Sequence, residues 1–282
     1  MNNSSMPAKV GMMQGRLSPI INNRIQQFPW DSWPNEFVVA SKIDIKLIEW
    51  TIDTFDFYKN PLINLNQWDE INIIMDKNNI SIPSVTCDYF MENPPWMTDL
   101  KLVKEGISSI LQGMRNIKSK ILVIPLVDNS SLPDSSSVKI IEDFFTDLIP
   151  IISQNKLQIA FECDLNPEKL SDLIDKFDRN YFGINYDIGN SSSLGFNPEE
   201  EFNAYGSRII NVHVKDRKLN GTTVPLGEGD ADFLGIFRLL HKENYEGNLI
   251  LQTARSKEGK DTEVLVRYKN LVEEWWEEAR IG

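Results

Sequence analysis

The chain has 282 residues, 29 Lys+Arg against 41 Asp+Glu for a formal charge of −12, and two Cys and two His. An acidic chain lacks the Lys/Arg surplus with which nucleic-acid binders neutralise phosphates, and two imidazoles cannot furnish a multi-histidine metal cluster. Cys87 and Cys163 form neither a disulfide framework nor a CxxC motif. No apolar run reaches the roughly 18 residues of a membrane span, and residues 1–8 lack the apolar stretch of a secretory signal, so a cytoplasmic protein with no membrane or nucleic-acid partner is expected.

Two hydrophobic periodicities alternate along the chain in about eight units of roughly 35 residues. Short apolar runs suited to buried parallel strands cover 10–14, 45–50, 82–87, 121–127, 158–163, 183–187, 209–215 and 248–253. Stretches with helical spacing cover 34–42, 67–77, 99–117, 138–153, 167–177, 198–205, 233–243 and 262–279. Eight alternating pairs predict a single-domain (β/α)₈ barrel over residues 1–282. The connections are lopsided in the same sense. Those from helix to strand are short and polar, whereas five from strand to helix are long: 15–33, 88–98, 128–137, 188–197 and 216–232. In a barrel the latter share the C-terminal face, where active sites of this fold are built.

Four successive late strands close on polar residues that a buried strand ordinarily excludes: Glu162, Asp187, His213 and Gln252. Each follows apolar residues, so their side chains are expected at similar height in the barrel mouth. Two carboxylates, an imidazole and an amide oxygen make an oxygen-rich site for one divalent ion, with Mn²⁺, Mg²⁺, Co²⁺ or Zn²⁺ all compatible. A strand-end carboxylate can also simply cap the next helix, and a lone strand His can be a hydrogen-bonded structural residue; four such coincidences on adjacent strands favour the site. His241, in a helical stretch beside Lys242, reads as a surface residue.

With the segment His213-Val-Lys-Asp-Arg217 and the following Val-Pro-Leu-Gly-Glu-Gly at 224–229, this pattern resembles the xylose-isomerase-like barrels. Within that group it is most similar to the sugar and sugar-phosphate 3-epimerases, such as the tagatose/psicose and L-xylulose-5-phosphate enzymes. The resemblance runs from Gly-Met-Met-Gln-Gly-Arg at 11–16 to Leu-Gln-Thr-Ala-Arg at 251–255. It implies that Glu162, Asp187, His213 and the residue at 252 bind one divalent metal, and that two glutamates exchange protons with the substrate from opposite faces. Position 252 departs from that pattern, because Gln has no titratable proton and cannot serve as general acid or base. Asn190, three residues after Asp187, departs as well, standing where the family often has His.

One-base chemistry survives these departures: Glu162 could move a proton between neighbouring carbons of a ketose or aldose through an enediolate. Alternatively another group supplies the second proton. Glu49, at the end of the second strand, is the first candidate, followed by Asp88 and Lys215; an ion pair of Glu49 with Arg16 or Lys215 is the competing expectation. The resemblance matches Arg217 to a substrate-contacting arginine. Arg16, Arg255, Lys215, Asn190 and Asp88 lie near the same face and are candidates for holding substrate hydroxyls or a phosphate, since Arg binds two oxygens at once. The same Args and Lys can equally pair with the surplus carboxylates. Aromatic residues in the long loops, among them Phe28, Trp30, Trp33, Tyr89, Phe90 and Trp96, suit either a sugar-facing wall or packing of the loops, with 88–98 a conceivable lid.

The leading expectation is a metal-dependent isomerase or epimerase of a small sugar or sugar phosphate. An altered barrel in which Gln252 marks lost acid/base machinery is the alternative. A phosphodiesterase of the endonuclease IV type is disfavoured by two His and a charge of −12. The resemblance is compatible with a homo-oligomer, which no residue pattern decides.

Overall fold

A computed structural model describes residues 9–21, 26–256 and 258–281. Residues 1–8, read above for a targeting signal, and residues 22–25 of the long first loop lie outside the described residues. Eight strands pair in parallel in chain order: β1 (Lys9–Met13), β2 (Ile48–Ile52), β3 (Ser84–Cys87), β4 (Ile121–Leu126), β5 (Gln158–Cys163), β6 (Phe182–Asp187), β7 (Ile209–Val214) and β8 (Asn248–Leu251). The last pairs back onto the first, from Lys9 opposite Asn248 to Met12 opposite Leu251, so no sheet edge is left open. The barrel expected from the sequence is therefore present.

Around it run α1 (Trp33–Lys42), α2 (Trp68–Asn78), α3 (Asp88–Glu92), α4 (Leu100–Asn116), α5 (Ser135–Asn155), α6 (Pro167–Ile174), α7 (Ile188–Leu194), α8 (Pro198–Tyr205), α9 (Phe233–Lys242) and α10 (Asp261–Ile281). Their ends follow local chemistry. Asp134 opens α5 with a capping box closed by Ser137. Asn166 and Asn197 accept backbone N–H bonds ahead of Pro167 and Pro198, whose missing N–H costs nothing in a first turn. Outward side chains of the strands pack in aromatic clusters with the surrounding helices, loops and neighbouring strands: Trp50 against Phe28, Trp33 and Phe37, and Phe161 against Phe145, Phe177 and Phe182. Among the described residues no helix is long and apolar enough to cross a membrane.

Two differences from the sequence reading matter for the site. The second strand begins at Ile48 rather than Ile45, because the Ile45 N–H still closes the end of α1 on the Ala40 carbonyl at 2.9 Å. Glu49 is thereby the second residue of its strand and lies below the mouth. The loops read as irregular at 88–98 and 188–197 contain α3 and α7, and 216–232 folds into an antiparallel ribbon, Asp216–Arg217 with Thr223–Val224. Phe28, Trp33, Tyr89 and Phe90 are buried, so these loop aromatics pack the loops down.

Candidate metal centre

The interior of the barrel is polar on one side, and period-two alternation explains how. With every second side chain facing inward, Glu49 on β2, Ser84 and Thr86 on β3, Asn185 and Asp187 on β6, and Asn211 and His213 on β7 meet across the lumen, as their contacts show. Asn211 Nδ2 donates to Glu49 Oε2 at 3.0 Å and to Asn185 Oδ1 at 2.9 Å, while Asn185 Nδ2 donates to Glu162 Oε2 at 2.8 Å. These two asparagines were not singled out from the sequence. Their signal was present: each stands two residues before a singled-out residue, in Asn185-Tyr-Asp187 and Asn211-Val-His213, and so shares its face.

On this layer sit Glu162, Asp187 and His213, each offering a ligand atom within 4.8 Å of the others. His213 is fully buried; its Nε2 lies 2.7 Å from Glu49 Oε1, and its Nδ1 faces Glu162 Oε2 at 3.1 Å and Asp187 Oδ2 at 4.0 Å. Burial alone would depress the imidazole, but the charges of Glu49 and Glu162 outweigh it and raise its pKa to about 10. Burial likewise opposes ionisation of Glu162 and Glu49; the hydrogen bond and charge of His213 prevail and hold both carboxyls below their ordinary value. Asp187 goes the other way, raised by burial despite Lys215. The negative charge of these carboxylates is thus faced by the His213 imidazolium and by Lys215.

Asp187 satisfies both readings made of it. Its Oδ1 accepts the Asn190 N–H at 2.8 Å and starts α7, while Oδ2 stays on the pocket side, 2.7 Å from Lys215 Nζ as an ion pair without hydrogen-bond alignment. Asn190 Nδ2 donates to Glu162 Oε1 at 2.8 Å and its Oδ1 accepts from Arg217 at 2.9 Å, so Asn190 and Arg217 are linked to the central carboxylate. Gly189 permits this: a Cβ there would lie 2.9 Å from the Lys215 carbonyl oxygen. Gly189→Ala is expected to cost about 1–3 kcal/mol in chemical denaturation, by prising α7 from the segment after β7. Behind α7, buried Glu201 accepts from the hydroxyls of Tyr186, Ser191 and Tyr205, which ties α7 and α8 to β6.

The remaining candidates divide. Gln252 follows β8 and reaches the mouth, but its amide oxygen accepts from Lys215 Nζ at 3.1 Å and its Nε2 donates to Gln26 Oε1 at 2.9 Å. Gln26, which nothing in the sequence marked, donates in turn to Asp88 Oδ2 at 2.6 Å. Glu49 pairs with His213 at 2.7 Å, and not with Arg16 or Lys215, the alternative partners weighed above. Arg16 Nε donates to the Thr253 carbonyl at 3.1 Å, and Arg255 holds the carbonyls of Gly15 and Ser18 and the carboxylate of Asp261. Both arginines brace the first loop against the segment after β8. Asp216 accepts the N–H groups of Gly227, Gly229 and Ala231, which assigns the glycines of 224–229 to folding that loop. His241 is not a solvated surface residue; it is half-buried, with Nε2 2.9 Å from the Trp276 carbonyl.

Two other buried carboxyls give a pH dependence. Burial raises Asp88 to about 7, with Glu162 and Asp53 adding repulsion and Gln26 opposing. Burial raises Glu36, which accepts the Gly15 and Leu17 N–H groups, to about 6. Both bind a proton more tightly folded than unfolded, so stability falls as pH rises from about 4 to about 7. His213, raised to about 10, is fully stabilising below about 6.5 and loses that contribution through about 10, which has the same sign. The lowered carboxyls of Glu49 and Glu162 act oppositely only below about 4.5. Thermal melts of the cation-free protein are expected to give a Tm several degrees higher at about pH 5.5 than at about pH 8; a rise with pH over this range would contradict the assignment.

A closed parallel barrel with Glu162, Asp187 and His213 clustered at the ends of β5, β6 and β7, where they could hold a metal ion, defines the class. The family model described as xylose isomerase-like TIM barrel matches residues 37–277, and the chain belongs to that family. It is 31% identical over 106 residues to a protein of Escherichia coli (strain K12) named as an L-ribulose-5-phosphate 3-epimerase, covering 35% of this chain and 37% of that one. It is 33% identical over 104 residues to the inosose dehydratase of Clostridium botulinum (strain Eklund 17B / Type B), covering 30% and 35%. The alignments thus span little more than a third of either relative. Among solved structures, a xylose isomerase-like TIM barrel protein from Mycobacterium smegmatis in complex with magnesium superposes with a TM-score of 0.72 at 14% identity, over 97% of each chain, a likeness of fold.

Proposed function

We propose that this chain is a divalent-cation-dependent isomerase or epimerase of a sugar or sugar phosphate in which Glu162 moves the proton. The observation that carries the reading is the donor set: Glu162, Asp187 and His213 converge, with buried His213 Nδ1 turned to Glu162 Oε2 at 3.1 Å and Asp187 Oδ2 at 4.0 Å while Nε2 is anchored by Glu49. An imidazole nitrogen turned toward two carboxylates, with its other nitrogen on a third, fits a cation ligand oriented from behind. The named relatives support the same class, since an epimerase and a dehydratase of polyhydroxylated ketones both act on carbon next to a carbonyl.

Such an ion would polarise a carbonyl and its neighbouring hydroxyl as a Lewis acid, and Mn²⁺, Mg²⁺, Co²⁺ and Zn²⁺ all suit the donors. Glu162 is ionised at neutral pH, as a base must be, and Asn185 and Asn190 fix its carboxylate in place. Glu49 holds His213 rather than reaching the mouth, so its role is positioning. Lys215 and Arg217 bring cationic donors to the side of the pocket, where developing oxyanion charge or a phosphate would be met. Gln252 replaces an acid/base group with an amide. That favours proton transfer on one face, as in aldose–ketose interconversion, or a second proton delivered by Asp88 or Lys215.

Stripping the protein with EDTA and restoring Mn²⁺ tests the reading. Thermal stability is expected to rise on restoration, by an amount that grows with free Mn²⁺, and turnover of ketose or ketose-phosphate substrates to appear only then. Stability and turnover indifferent to both treatments would refute it.

A further inference from the structure

We infer that three side chains alone, Glu162, Asp187 and His213, hold the cation, and that Gln252 serves a polar strap across the mouth which fixes the Lys215 ammonium beside the cation's open face. This rests on the cation-dependent reading above and goes beyond it by removing the expected fourth ligand and assigning the place to a charged side chain. The chemical consequence concerns the substrate: the oxygen it presents there meets an ammonium as well as the ion.

The argument starts from what an amide can do. Gln offers a cation only its carbonyl oxygen, because the NH₂ group has no lone pair to give. In Gln252 that oxygen accepts from Lys215 Nζ at 3.1 Å and the NH₂ donates to Gln26 Oε1 at 2.9 Å. The orientation is fixed twice over, since a flipped amide would point N–H groups at an ammonium. The chain of contacts continues on both sides. Gln26 Nε2 donates to Asp88 Oδ2 at 2.6 Å, and Lys215 Nζ lies 2.7 Å from Asp187 Oδ2. Five side chains from β6 to the end of β3 therefore cross the mouth in series, and Gln252 is an interior link of that series.

Lys215 is held at 12% side-chain exposure with one full and one partial negative partner, Asp187 and the Gln252 oxygen. A glutamate at 252 would put a second carboxylate on the ammonium and compete for the ion; the amide holds the ammonium and leaves Asp187 as its one full negative partner. Catalytic cation sites commonly use three protein ligands and keep the other positions for substrate. Here the open positions are bordered by a cation, which selects a substrate whose liganding oxygens carry or develop negative charge: a ketone adjacent to a hydroxyl, passing through an enediolate, fits this better than an isolated hydroxyl pair. The ammonium should also weaken the empty protein's hold on the ion by charge repulsion.

Binding of Mn²⁺ alone to EDTA-stripped protein, read by electron paramagnetic resonance of the free ion, tests this without any substrate. Gln252→Ala is expected to stay within about threefold of the parent affinity, Glu162→Gln and Asp187→Asn to bind at least about 30-fold more weakly, and Lys215→Met to bind at least about threefold more tightly. Weakening of Mn²⁺ by more than threefold in Gln252→Ala, or Lys215→Met binding no more tightly than the parent, overturns the assignment. Gln252→Met, which keeps the side-chain volume without the amide, and Gln26→Ala, which cuts the strap beyond Gln252, serve if the alanine variant does not fold, and both are held to the same threefold limit. Loss of Mn²⁺ binding by the parent chain itself overturns the cation reading, and this inference with it; failure confined to Gln252 or Lys215 leaves that reading standing.

Discussion

Glu162→Gln is expected to lower turnover by at least about 10³-fold at saturating Mn²⁺ while leaving the fold intact. The expected size reflects two roles in one side chain. General-base transfer is worth about 10²–10⁴, and the same carboxylate belongs to the cation-binding group. Gln is isosteric but keeps only one acceptor oxygen, so it can accept from Asn185 or Asn190 and not both; circular dichroism should be unchanged while Tm falls by a few degrees. A variant that folds, binds Mn²⁺ and turns over within about tenfold of the parent would remove Glu162 from the chemistry.

Glu49→Ala has the second-largest expected effect, and it falls on stability. The Glu49 carboxylate is fully buried and accepts from Ser84 at 2.6 Å, from Thr86, and from Asn211 at 3.0 Å, besides pairing with His213 at 2.7 Å. Removing it strands three donors and an imidazolium in the lumen. Breaking one side of a buried ion pair costs about 3–5 kcal/mol, which for a chain of this size lowers Tm by roughly 10 °C. Mn²⁺ affinity should fall about 10–100-fold as His213 loses the partner that orients it. Glu49→Gln should recover part of the stability, since one oxygen can still accept. If Glu49 were instead a proton-transfer group at the mouth, alanine would depress turnover and leave Tm unchanged, the opposite pattern.

Both variants probe residues whose type was conspicuous in the sequence, and the contrast between them shows what a linear reading reaches. Glu162, Asp187 and His213 were legible because each ends an apolar run on successive strands, and strand register then places them at one height. Glu49 was visible for the same reason, but its depth was not: the starting point of β2 depends on where α1 releases the chain, and the Ile45 N–H bond to Ala40 decides that. A shift of three residues at the strand's start moved Glu49 from the mouth to the layer beneath and gave it His213 as partner in place of the alternatives Arg16 and Lys215. The eight strands and eight outer helices were recoverable because buried parallel strands and amphipathic helices carry distinct periods. The short helices α3 and α7 carry neither; α7 exists because Asp187 caps it.

Contacts that join distant loops were the least legible. Gln26 meets Gln252 across 226 positions of sequence, and nothing about a Gln-Gln pair in a polar loop announces it. Arg16 and Arg255 read as anion ligands by type, and their bonds to carbonyl groups of the neighbouring segment could not be read, because only closure of β8 onto β1 brings those groups near. Asn185 and Asn211 lie between these extremes. Asparagine inside a barrel strand is costly unless bonded, and its period-two spacing from Asp187 and His213 was a usable sign that the polar layer continues below the pocket.

The most direct test of cation-dependent proton transfer at Glu162, Asp187 and His213 is deuterium incorporation from D₂O at the carbon next to the carbonyl, followed by proton NMR across free ketopentoses, ketohexoses and their phosphate esters. With Mn²⁺ restored, the parent chain should exchange that hydrogen in at least one of these compounds, and exchange should vanish after EDTA treatment and in Glu162→Gln. Exchange that persists without the cation or without the Glu162 carboxylate would contradict the account, as would its absence from every compound with Mn²⁺ bound.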